Sequence, residues 1–341
     1  MLNTIYRLVE PMRFEAQFTD IDIKGDDVIV RPTHLSICNA DRRYYQGKRP
    51  PEVLQQKLPM ALIHEGIGKV VFDKKGKFIP GQMVVMVPNT PVEEDEVIAE
   101  NYLRSSSFRS SGTDGFMQDN VAMKRDRIVP LHKGMNKKVA SFTELAAVSY
   151  HTINRFAEIA HKRRKTIGVW GDGNLAFITS LFLKKRMPEC RIIIFGKNDW
   201  KMVNFPFADA TYNITAIPKD LHVDHAFECV GREASGAAVN QIIDHINPEG
   251  TIAIMGVSEV LVPLNTRMML EKGLRMVGSS RCGKKDFCDT LEFYRDNPDV
   301  VEYMQSIVGS VVRVKTMTDI NKAFEEDIKA PGGKTVIIWE K

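Results

Sequence analysis

"TIGVWGDGNLAFITSLFL", residues 166–183, joins a short apolar run to a longer one through Gly171, Gly173 and Ala176, in the pattern G-x-G-x-x-A. The first run has the length and β-branched content of a buried strand, and the second has the length of a helix. Gly171 permits a tight turn, Gly173 lets the backbone approach a pyrophosphate, and the small Ala176 lets the helix pack close to a sheet. The helix start at Asn174 and Leu175 then points backbone N–H groups at an anion. Alone, the pattern is only a turn; at a strand-to-helix junction it reads as a dinucleotide-binding crossover.

The following chain keeps the same rhythm. "RIIIFG" (191–196), "DHAFECVG" (224–231) and "GTIAIMGV" (250–257) are strand-like runs separated by helical ones, as in a parallel α/β sheet. Val230, in the second of these, joins the expected cofactor contacts. The run 191–196 ends at Gly196 followed by Lys197, where an NAD site places an acid for the ribose hydroxyls. A missing carboxylate plus a cation suits a 2′-phosphate, so NADPH is the expected cofactor. The bland alternative leaves Lys197 facing water and gives Asp199 the acid's role.

Before residue 165 the pattern changes to short β-rich segments broken by Gly and Pro. There "KLPMALIHEGIGKVV" (57–71) sets His64 and Glu65 after an apolar run, where an imidazole and a carboxylate need partners if buried. "SICNADRRYY" (36–45) supplies Cys38, and "SFTELAAVSYH" (141–151) supplies Glu144. Singly, Cys38 reads as a small buried hydrophobe and Glu144 as a helix-start acid. Together with a nicotinamide site, the four residues form a mixed S, N and O donor set suited to one catalytic zinc.

Composition excludes several classes. A chain of 341 residues has room for about two domains. Its net charge is +4, and the 47 Lys and Arg residues, which alternate with 43 acids, gather into only one short run, "HKRRK" (161–165), which reads as a solvated linker and not as a nucleic-acid surface. No apolar run approaches the roughly 18 residues of a membrane span. Glu10 and Pro11 interrupt the amino terminus before a signal-peptide core forms, so a cytoplasmic protein is expected. The 5 cysteines are odd in number and form no CxxC pair, which points to reduced thiols.

Over essentially its whole length the chain resembles the zinc-dependent medium-chain dehydrogenases/reductases, with the polyol dehydrogenases nearest in style. The resemblance rests on Cys38 followed by Asp41, H-E-x-x-G at His64, Glu65 and Gly68, and G-x-x-V at Gly81 to Val84. It continues through "DGFMQD" (114–119), Glu144 with His151, the glycine turn, and "FECVG" (227–231). It implies an α/β protein: a GroES-like catalytic domain from 1–147 and 281–341, and a Rossmann doubly wound parallel-sheet domain from 148–280. Cofactor and zinc would lie in the cleft between them.

Three departures from the family carry information. Residues 82–118 contain no cysteine, so the structural zinc lobe of many relatives is missing and one metal is expected. Ile63 replaces the usual glycine before the His-Glu pair, read here as a packing change. Ala40 stands where alcohol-oxidising relatives carry a Ser or Thr that relays the proton.

Charge constrains the metal's role. Zn²⁺ with a thiolate, a neutral imidazole and one carboxylate is formally neutral and polarises a ketone oxygen; a second carboxylate would weaken it. Either Glu65 or Glu144 is therefore expected to exchange during turnover. The implied reaction is hydride transfer from NADPH to C2 of a ketose phosphate, with Arg43, Arg109 or Arg281 holding the phosphate. Each arginine reads equally well as a surface ion pair. A cytidylyltransferase that consumes the product is the implied partner enzyme, and a homo-oligomer the expected assembly. An NAD-linked polyol oxidation and a non-catalytic binding relative are the rival readings.

Overall fold

The nine residues Val28–Ser36 turn most of their side chains into a core, and the strand they form is the central member of the largest β-sheet. The computed structural model describes residues 1–22 and 25–341. The described residues divide into two compact units, Met1–Ala147 with Cys282–Lys341, and Val148–Arg281.

In the first unit the sheet runs in the order Ile128–Pro130, Met83–Met86, Glu65–Phe72, Val28–Ser36, Lys334–Trp339, Val308–Val314, with Val121–Met123 also pairing to Val28–Ser36. A smaller sheet pairs Leu2–Glu10 with Arg13–Asp20 and Met60–Ala61. Helix Met317–Lys329 covers part of the core, where Tyr45 stacks on Phe324 at 4.7 Å. The helix starts on a capping box between Thr316 and Asp319, which satisfies two otherwise orphaned N–H groups.

Two registers on the central strand matter for function. Ser36 pairs with Glu65 on one side and with Val336 on the other, both antiparallel. Continued past Ser36, they bring Cys38 level with Lys334 on one side and with the Ile63–His64 turn on the other. Residues far apart in sequence therefore meet at one end of the sheet.

The second unit holds, among the described residues, six parallel strands in the order Ala210–Asn213, Arg191–Gly196, Thr166–Trp170, His225–Glu228, Thr251–Ile254, Arg275–Gly278. Counted within the unit this is 3-2-1-4-5-6, the dinucleotide-binding order, whose direction reverses beside the first strand. Trp170 stacks on Phe195 at 3.9 Å, and its indole N–H donates to Gln241 Oε1 at 2.9 Å, so a large aromatic is buried with its polar atom satisfied. No helix among the described residues is long and apolar enough to cross a membrane. All five cysteines are free thiols.

Candidate metal centre and nucleotide turn

Cys38 lies just past the central strand and caps helix Asn39–Tyr45. The carboxylate of Asp41, fully buried, accepts the Cys38 N–H at 3.1 Å, the Ile63 N–H at 2.9 Å and the Ser110 hydroxyl at 2.7 Å. One buried anion thus ties the cysteine loop to the turn that carries His64, and its three donors compensate for its desolvation. Ile63 adopts φ 70°, a conformation that strongly disfavours a β-branched side chain. The Ile63 position is therefore more than a packing change. Glycine would adopt this backbone freely, whereas here Asp41 and the Phe116 N–H, which reaches the Ile63 carbonyl at 2.7 Å, hold the strained residue in place.

The sulfur of Cys38 and ligand atoms of His64 and Glu65 all lie within 4.8 Å of one another. His64 is 7% exposed, and its Nδ1 makes no hydrogen bond, with Asp41 Oδ1 3.8 Å away. Burial opposes a charged imidazole, yet Asp41, Cys38 and Glu144 outweigh it and raise the His64 pKa to about 10. These surroundings favour positive charge at this point, which a metal cation supplies as a proton does. The thiol, imidazole and carboxylate fit zinc. Glu144, in the first turn of helix Thr143–Ile159, is not in that three-residue group. Burial pushes its carboxyl up to about 7, with His64 and Lys334 pulling it down and Glu65 and Asp41 pushing it up.

Lys334 was not singled out from sequence. Its Nζ donates to Glu65 Oε1 at 2.9 Å and to the Ile37 carbonyl at 2.9 Å, and lies 2.7 Å from Glu65 Oε2, with both side chains almost wholly buried. Burial opposes the ammonium, but Glu65 and Cys38 hold its pKa above the usual lysine value. This cation offsets the neighbouring buried anion of Asp41, so Zn²⁺ with Cys38 thiolate and Glu65 stays formally neutral, and an ionised Glu144 would add net negative charge. The only local signal was a lysine opening the apolar run "KTVIIW".

In the second unit Gly171 has φ 136°, and a Cβ there would meet those of Ala176 and Cys229 at 3.2 Å. Gly173 caps helix Asn174–Arg186, and a Cβ on it would meet no protein atom within 4 Å. That open side, at the start of the helix, is the cradle a pyrophosphate needs, so the turn fits a dinucleotide. Gly196 ends strand Arg191–Gly196, followed by an exposed Lys197. Val230 follows strand His225–Glu228, where the buried Glu228 carboxylate accepts the N–H groups of Val230, Gly231 and Gly256 at 2.8–3.0 Å.

The three arginines are placed differently. Arg43 sits in the helix capped by Cys38 and donates to the Lys48 carbonyl at 2.9 and 3.1 Å. Arg109 commits its guanidinium to the carbonyls of Asp114 and Ala122, at 3.2 and 2.6 Å. Arg281, at φ 57°, lies three residues past strand Arg275–Gly278.

Residues 24–133 match the alcohol dehydrogenase GroES-like domain family, and residues 200–296 the zinc-binding dehydrogenase family. Ribulose-5-phosphate reductase of Bacillus spizizenii is 55% identical over 340 residues, covering 100% of both chains. The chain belongs to the zinc-binding dehydrogenases. Among other members of the family, ribulose-5-phosphate reductase 1 of Staphylococcus aureus is 52% identical over 339 residues, covering 99% of each chain. The crystal structure of S. aureus TarJ in complex with NADPH superposes with a TM-score of 0.91 at 47% identity, covering 100% of both chains. Within this zinc-binding dehydrogenase, Ala40 still offers no hydroxyl beside Cys38.

Proposed function

We propose that the chain is an NADPH-dependent ribulose-5-phosphate reductase, converting D-ribulose 5-phosphate and NADPH, with one proton, to D-ribitol 5-phosphate and NADP⁺. The observation that carries the reading is the 55% identity to the B. spizizenii ribulose-5-phosphate reductase over the full length of both chains. The convergence of Cys38, His64 and Glu65 agrees with it.

Cys38, His64 and Glu65 would hold the zinc, with Glu144 as the carboxylate available for exchange. When bound, zinc supplies Lewis-acid polarisation of the C2 ketone for hydride addition. Asp41 keeps Cys38 and His64 in register, and Lys334 balances Glu65 so that the site retains its cation affinity without excess negative charge. The turn at Gly171 and Gly173 and the helix start at Asn174, Leu175 and Ala176 take the cofactor pyrophosphate. Val230 lines the cofactor site, and Lys197 beyond Gly196 answers the 2′-phosphate. Arg43 is the proposed substrate-phosphate anchor. Arg109, already spent on two carbonyls, serves better as a loop tie, and Arg281 stays the second candidate. Because Ala40 lacks a hydroxyl, the proton that completes the alcohol comes from water and not from that side chain.

The product would be consumed by a cytidylyltransferase, feeding CDP-ribitol and poly(ribitol phosphate) teichoic acid synthesis, and the enzyme would act in the cytoplasm as a homo-oligomer. Incubating the zinc-loaded chain with NADPH and D-ribulose 5-phosphate and identifying the product by mass spectrometry and NMR tests the reading. D-ribitol 5-phosphate is expected; unchanged ketose refutes it.

A further inference from the structure

The glycine turn encloses an acid, Gly171-Asp172-Gly173, and its carboxylate does not point idly into solvent. Asp172 Oδ2 accepts the backbone N–H of Lys197 at 3.0 Å, the backbone N–H of Asn198 at 2.8 Å and the Asn198 side-chain amide at 2.8 Å. Its Oδ1 lies 4.0 Å from Lys201 Nζ, and its side chain is 14% exposed. The Lys201 ammonium also sits 5.3 Å from the ring centroid of Trp200, which is 54% exposed. A Cβ on Gly196 would approach Met202 Sδ at 2.7 Å and Asp172 Cβ at 3.0 Å. The strand end is therefore closed to the acid that would serve NAD, because Asp172 and Met202 already fill that space.

We propose that Asp172 is a positioning residue for cofactor choice: by binding the 197–198 backbone it holds Lys197, Asn198 and Lys201 at the adenosine end of the site, where they select a 2′-phosphate. The inference rests on the NADPH reading above. Three N–H donors occupy Asp172 Oδ2, and Oδ1 faces the Lys201 ammonium at 4.0 Å, so the carboxylate is engaged with the chain that follows strand Arg191–Gly196. The carboxylate acts through its neighbours, of which Lys197, exposed to solvent, and Lys201 supply the charge for the phosphate.

Calorimetric binding of NADPH, NADH, adenosine 2′,5′-bisphosphate and 5′-AMP to wild type, Asp172→Ala, Asp172→Asn, Lys201→Ala and the Asp172→Ala/Lys201→Ala double variant tests this without turnover. Asp172→Ala should weaken NADPH and the bisphosphate about tenfold and change NADH and 5′-AMP less than about twofold. Asp172→Asn, which keeps an acceptor for the backbone donors, should recover much of the loss. The double variant should fall short of the summed single effects, because Lys201 is already misplaced. Equal losses for both cofactors, no loss, or strict additivity would overturn the proposal. If Asp172→Ala does not fold, Asp172→Asn with and without Lys201→Ala decides by the same criterion of additivity. Wild type that binds NADPH and NADH equally would instead defeat the NADPH reading itself.

Discussion

Replacing Lys334 by methionine removes a buried ammonium while keeping most of the side-chain volume. The loss leaves the Glu65 carboxylate, at zero exposure, without its cation and the Ile37 carbonyl without a donor it now has at 2.9 Å. Deleting one partner of such a pair costs about 3–5 kcal/mol, because the remaining charge stays desolvated. In the metal-free protein this should lower the unfolding midpoint of the first unit by roughly 10 °C. Zinc should soften the loss, since a bound cation compensates Glu65 in place of the ammonium. Thermal and urea denaturation followed by circular dichroism, with and without chelator, measure both effects. Glu65→Gln combined with Lys334→Met should restore most of the stability that Lys334→Met alone removes. A single-variant loss below about 1 kcal/mol, or a double variant less stable than the single one, would refute the assignment of Lys334 as the counter-charge of this site.

Cys38→Ser should leave the secondary structure intact and reduce both the metal content, measured by elemental analysis, and the reductase activity to near zero; full activity without zinc would contradict the ligand set. Arg43→Ala should lower kcat/KM for D-ribulose 5-phosphate by about tenfold to a hundredfold while sparing D-ribulose, and Arg43→Lys should recover part of it as a point charge replaces the fork. His225, pushed down to about 4 chiefly by burial and then by neighbouring His161, gives a pH signature. Between that value and the usual 6.5 the unfolded chain binds more protons, so stability falls as pH drops through this window, by at most about 3 kcal/mol. His225→Gln should flatten that slope in unfolding titrations; an unchanged slope would mean that the imidazole is not held neutral.

The dinucleotide turn was legible because its demands are local: Gly171 needs its positive φ and Ala176 its small size within a few residues of each other. The metal residues were legible by type, but their meeting depends on the pairing of Ser36 with both Glu65 and Val336, which no local pattern reveals. Lys334 lies 269 positions from Glu65 and so stayed hidden in a strand of otherwise ordinary apolar composition. The guanidinium of Arg109 donates to the carbonyls of Asp114 and Ala122, a tertiary arrangement that its sequence neighbours do not announce. Ile63 shows the opposite case, a backbone requirement visible only as a dihedral angle.

The central claim is reduction of a phosphorylated ketose, and kcat/KM for D-ribulose 5-phosphate against D-ribulose, with NADPH and the zinc-loaded chain, tests it most directly. Binding energy from the remote phosphate orients C2 for hydride transfer, so the phosphorylated sugar should be favoured by about a hundredfold or more. Equal values for the two ketoses would contradict the account and make the chain a general polyol dehydrogenase.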